Sequence, residues 1–151
     1  MASVHDVAAY ILSKQGAMSA MKLQKLCYYA QAWSHVWEQA ELFPEDFEAW
    51  ANGPVAPELY TRHRGQYTVT SWTWGDPDQL TFDQAATVDA VLHAYGRLTA
   101  QQLSDLTHRE RPWREARGNL PDTERSTRVI PKEGMRDFYA SLVSRDDAED
   151  V

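Results

Sequence analysis

Between residues 103 and 118 the chain reads LSDLTHRERPWREARG, which crowds His108, Glu110, Trp113 and four arginines into one short stretch. An imidazole titrates near neutral pH, so a histidine with a carboxylate two residues away has the parts for acid and base work. The H-x-E spacing is also that of zinc deaminases, whose remaining metal ligands come from a P-C-x-x-C segment. With one cysteine in 151 residues that segment cannot exist. An HExxH helix, a GxxxxGK[ST] phosphate loop, GxGxxG and GxSxG are absent as well. The five histidines are scattered without metal-ligand spacing. The expectation is a protein that is not an enzyme and carries no metal or other cofactor.

As a nucleic-acid grip, Arg109, Arg111, Arg114 and Arg117 would meet phosphates while Trp113 stacked on a base. Glu110 and Glu115 interrupt that stripe, and interleaved acids oppose continuous phosphate tracking. Nucleic acid is therefore a secondary expectation. As a structural corner, Pro112 disfavours helical geometry at Arg111 and suits the start of a new helix. The preceding helix then ends near His108, which becomes a hydrogen-bonding hinge. Trp113 buries its ring with Leu103 and Leu106, and the arginines stay mostly solvated.

The elements that must position this corner are read from apolar spacing and capping residues. Val4, Val7, Ala8, Ile11 and Leu12 mark a first helix with Ser3 as cap and Gly16 as stop. Ser19 caps a longer, central helix carrying Leu23, Leu26, Cys27, Ala30, Trp33 and Trp37 on one stripe, with Lys22 and Lys25 pointing elsewhere. Two prolines and a glycine between residues 50 and 57 force a turn, after which Pro57 opens a short helix that ends by Gly65. The run YTVTSWTW, residues 67–74, predicts one short strand or half a hairpin. Helical spacing resumes from Ala85 to Tyr95. Thr99 and Gln102 then form a capping box, with Leu98 and Leu103 placed for a hydrophobic staple. A last helix starts near Pro131 and uses Met135, Phe138, Tyr139 and Leu142. The fold class expected is mainly α: a compact single-domain helical bundle with a small β-strand or hairpin element.

Length and composition agree with one globular domain. No apolar run approaches the roughly 18–20 residues of a membrane span, and the N-terminus lacks the pattern of a signal peptide. The cytoplasm is the expected location. Cys27, within LQKLCYYAQ, is expected to pack as a small hydrophobe. The net charge of −7 includes an acidic segment, residues 145–151, expected as a disordered tail. Elsewhere the charge is uneven: residues 109–136 hold eight basic side chains against five acids, and residues 1–61 hold three lysines against seven acids.

Three stretches in order, MKLQKLCYYAQAW, EAWANGPVAPELY and LSDLTHRERPWREAR, resemble the Panacea domain of bacterial and phage antitoxins, a family of SocA-like and phage-associated proteins. Its K-L-Q-K-L-x-Y-Y matches Lys22, Leu23, Gln24, Lys25, Leu26, Tyr28 and Tyr29. Its A-W-x-x-G-P-V-x-P-x-L-Y matches Ala49, Trp50, Gly53, Pro54, Val55, Pro57, Leu59 and Tyr60. Its L-T-H-x-E-x-P-W-x-x-A-R matches Leu106, Thr107, His108, Glu110, Pro112, Trp113, Ala116 and Arg117. The resemblance runs from about residue 4 to residue 140, and places a Panacea-type domain over residues 1–144. It implies a mainly helical fold and a module that neutralises a toxin encoded nearby by protein–protein binding. The alternative is a nucleic-acid-binding or phage-associated regulatory protein. Within the matched motifs Trp50, Gly53, Pro54, Tyr60, Pro112 and Trp113 are expected to be structural. Lys22, Lys25, His63, Arg64, His108, Glu110 and Arg114 are the expected partner contacts, because charged and polar side chains prefer water or a partner.

Overall fold

The computed structural model describes the backbone of residues 2–149 and the side chains as far as residue 143. Ser3 opens α1 (Val4–Gln15): its hydroxyl accepts from the Asp6 N–H, and the Asp6 carboxylate accepts from the Ser3 N–H. Strand β1 (Met18–Ser19) leads directly into α2 (Ala20–Trp37), whose first turn is capped by the Ser19 hydroxyl. Helix α2 is the axis of the fold. It packs against α1, α4 (Phe82–Tyr95), α5 (Ala100–Arg109) and α7 (Lys132–Glu149). Leu23, Leu26, Cys27 and Ala30 are all inaccessible along it, as the apolar stripe predicts. Tyr29 stacks on Tyr95 of α4 with ring centroids 4.1 Å apart, and Tyr28 meets Phe47 edge-on at 5.4 Å.

The β structure differs from the expectation in its placement. Of residues 67–74 only β4 (Thr68–Val69) is a strand, antiparallel to β1 with Met18 opposite Val69. The rest of the run is held by side chains: Trp72 is buried and its Nε1 donates to His5 Nδ1 at 3.1 Å. A second sheet lies in the segment read only as a turn. There β2 (Glu48–Trp50) and β3 (Gly53–Val55) form an antiparallel hairpin, with Glu48 opposite Val55 and Trp50 opposite Gly53. Its outer edge is partly covered, because Val129 bridges Glu48 and the Ala49 N–H donates to the Arg128 carbonyl.

Helix α3 (Pro57–His63) begins at its proline as expected. Helix α4 starts at Phe82, earlier than the apolar spacing indicates, because Thr81 and Gln84 close a capping box. The Thr99–Gln102 box opens α5 where predicted. Helix α6 (Arg111–Arg117) follows α5 after one extended residue, Glu110, at φ −96 and ψ 145. The break thus falls at Glu110 and not at Arg111, and Pro112 occupies the second helical position. Residues 150 and 151 at the end of the acidic segment lie outside the described residues, as do the side chains from residue 144 onward.

Candidate functional site

Burial divides the charged residues that were expected to face a partner. Lys25 is wholly inaccessible, and His63 and Glu110 are buried; Lys22 and His108 are half-buried, whereas Arg64 and Arg114 are exposed. The rule that charge seeks water fails at the first three, each for its own reason. Lys25 runs beneath the hairpin, and its ammonium has no hydrogen-bond partner among the described residues. Burial lowers its pKa to about 7, so the amine loses its charge in the neutral range.

His63 lies 3.0 Å, through Nε2, from the side-chain amide nitrogen of Gln24. That amide only donates, so Nε2 accepts and the imidazole is neutral with its proton on Nδ1. Burial lowers the His63 pKa in the same direction. Glu110 accepts from the hydroxyls of Tyr29 at 2.7 Å and Tyr139 at 2.8 Å. Burial raises its carboxyl above the usual range, and the two phenol bonds oppose that shift. The result is a buried knot tying α2 and α7 to the α5–α6 joint. Lys22 is also engaged, its ammonium donating to the Gly96 carbonyl at 2.7 Å.

The corner at residues 103–118 is a structural wedge. Trp113 is buried, stacked on His108 at 4.0 Å, with the Arg117 guanidinium 4.9 Å from its ring centre. Leu103 shares the core with the indole, and Leu106 packs against it. The expectation of solvated arginines fails at Arg117, which is 2% exposed. Carbonyl groups replace water for it: Arg117 donates to Ala49 O at 2.9 Å and to Pro121 O at 2.7 Å.

These groups converge on the back of the β2–β3 hairpin. Trp113 Nε1 donates to the Trp50 carbonyl at 2.8 Å, and Ser104 Oγ donates to the Asn52 carbonyl at 2.7 Å. Gln24 both donates to and accepts from the backbone of Ala56, at 3.1 and 2.8 Å. Gly53 sits at φ 120, and a Cβ there would lie 2.5 Å from Lys25 Cε. Both its conformation and its close approach to the lysine stem require glycine.

The front of the hairpin is open. Trp50 and Tyr60, expected to be structural, are half-buried and meet edge-on with centroids 4.9 Å apart. With Met21 and Val55 they wall a groove of about 500 Å³, and Arg125 is also among the residues that line it. Trp50 Nε1 is fixed by Glu48 Oε1 at 2.8 Å. Sequence reasoning missed Met21 and Arg125, which carry no chemical signature. A second cavity, of about 640 Å³, lies beside α6, where Arg111 and Arg114 stand with Glu115 and Asp122. Its charges are mixed. Among the described residues no cluster of three or more histidine, cysteine or acidic side chains is placed to hold a metal ion.

Residues 23–114 match a family model described as Antitoxin SocA-like, Panacea domain. The matched span contains α2 from Leu23 onward, the hairpin and the wedge through Arg114. Comparison with curated proteins and with solved structures yields no significant match.

Proposed function

We propose that this chain, which belongs to the Antitoxin SocA-like, Panacea domain family, neutralises a protein toxin encoded beside it by binding that toxin directly. Family membership is the observation that carries the reading. The interior supports it: Lys25 and Glu110 of the matched motifs, and His63 outside them, are buried in the framework. The motif residues Lys22 and His108 are half-buried, Lys22 bonded to the Gly96 carbonyl and His108 stacked on Trp113. A rigid module that covers or distorts a toxin needs no catalytic group, so the protein acts without turnover or cofactor. Arg64 and Arg114 remain exposed and are kept as contact residues.

Nucleic acid is the weaker partner. Arg117 is engaged with carbonyl groups, and Arg111 lies over the Phe138 ring at 5.3 Å, so the arginine stretch offers fewer free cations than its composition implies. No helix among the described residues is long and apolar enough to cross a membrane. Toxin and antitoxin meet in the cytoplasm under this reading.

Co-expression with the neighbouring reading frame tests the proposal. Growth should be arrested by that product alone and restored when this chain is present, with the two proteins co-purifying. A soluble chain that neither rescues growth nor co-purifies with the neighbour overturns it.

A further inference from the structure

We propose that the groove in front of the β2–β3 hairpin is the docking site for an apolar segment of the toxin that carries a carboxylate side chain. The inference rests on the neutralisation reading and adds where, and by what chemistry, the partner is held.

The groove's walls come from α2, the hairpin and α3, which the hydrogen bonds behind it lock together, and from the irregular segment 125–127. Trp113 and Arg117 hold the carbonyls of Trp50 and Ala49, Gln24 holds Ala56 at the start of α3, and Ser104 holds the hairpin tip. A surface fixed in this way loses little freedom on binding, which favours affinity. Its volume of about 500 Å³ lies within the ~300–1,000 Å³ of pockets that enclose a ligand or an anchoring side chain. Two half-exposed aromatic rings suit central anchors, and Met21 is a side chain that adapts to the shape it meets.

Charge selects the occupant. Arg125 is the one side chain charged at neutral pH among the residues lining the groove. It is exposed and makes no ion pair among the described residues. The chain as a whole has a net charge of −7, so a positive rim on an apolar groove is a local exception. Such a rim draws in a carboxylate and rejects a basic segment. The cavity beside α6 lacks this discrimination, because Glu115 and Asp122 stand among its arginines.

The test measures binding of the purified product of the neighbouring gene to the full chain and to three variants. Arg125→Glu reverses the rim charge, Thr127→Trp fills the groove from an exposed lining position, and Glu115→Arg alters the other cavity. The first two should raise Kd by about tenfold or more, with thermal midpoints unchanged; Glu115→Arg should stay within about twofold. Arg125→Glu should also flatten the salt dependence of the association rate, and an acid-to-arginine substitution in the toxin should restore its binding. If the parent binds but both groove variants bind as well as it does, the groove assignment falls while neutralisation stands. If the parent does not bind the neighbour, both fall. Variants that change only the self-association of this chain would show that a second copy occupies the groove, which also overturns the proposal.

Discussion

Lys25→Met is expected to make the protein more stable. The lysine is fully buried with no hydrogen-bond partner among the described residues, and methionine retains an unbranched stem of similar length against Gly53. Burial lowers the lysine pKa from 10.5 to about 7. The unfolded chain therefore binds more protons than the native one across that window, and stability rises with pH by up to about 1.4 kcal/mol per unit. At pH 7 the native state still carries a penalty on the order of 4 kcal/mol relative to a side chain that never titrates. Urea unfolding at pH 7, 7.5 and 8 reads both quantities, below the range where the tyrosines and most of the Cys27 thiol of the unfolded chain ionise. The parent should gain stability along the series. Lys25→Met should start well above it and stay nearly flat. A variant less stable than the parent at pH 7, or one that keeps the parent's slope, would show that the amine has a stabilising partner and that burial is not its dominant cost.

Three further perturbations probe the framework. Trp113→Ala should destabilise by about 3–5 kcal/mol, since the ring is buried and its Nε1 holds the hairpin; Arg114→Ala should melt with the parent, and equal melts for both would place the indole outside the core. Gly53→Ala should cost about 1–3 kcal/mol because of its φ of 120 and the approach of Lys25, as read by thermal melts. Glu110→Gln keeps one acceptor oxygen, which Tyr29 and Tyr139 can share as they share Oε1, but removes a carboxyl whose pKa burial has raised. The native parent holds its proton to higher pH than the unfolded chain, so its stability falls as pH rises from the usual glutamate range through the raised value. The glutamine variant should lack that fall, with an advantage that grows from pH 4.5 to 7; an unchanged pH profile contradicts it.

Helix starts were legible because their signals are local. Ser3, Ser19 and Thr99 cap within three residues of themselves, and the Thr81–Gln84 box was passed over only because apolar spacing begins later. The hairpin was not read because Glu48, Ala49, Gly53 and Pro54 have poor strand propensity. Its anchors come from residues 104, 113, 117 and 129, distant in sequence. The Asn52-Gly53 pair was the one local signal that marks such a turn. Trp113 was placed correctly because a proline-started turn beside Leu103 and Leu106 leaves an indole little choice. Lys25, His63, Glu110 and Arg117 were misplaced for a shared reason: charge type alone does not reveal the phenols, amides and carbonyls, or the loss of a proton, that permit burial. The groove was invisible because Met21, Trp50, Tyr60 and Arg125 come together only in the folded chain.

The central claim is tested most directly by titrating this protein, purified, into the purified product of the neighbouring gene while recording that product's toxic activity in vitro. Direct neutralisation predicts that activity falls with added protein and reaches its floor at a fixed stoichiometric ratio, with a complex of the same ratio seen by size-exclusion chromatography and light scattering. Toxic activity that persists at a large excess of folded protein, with the two eluting separately, contradicts it.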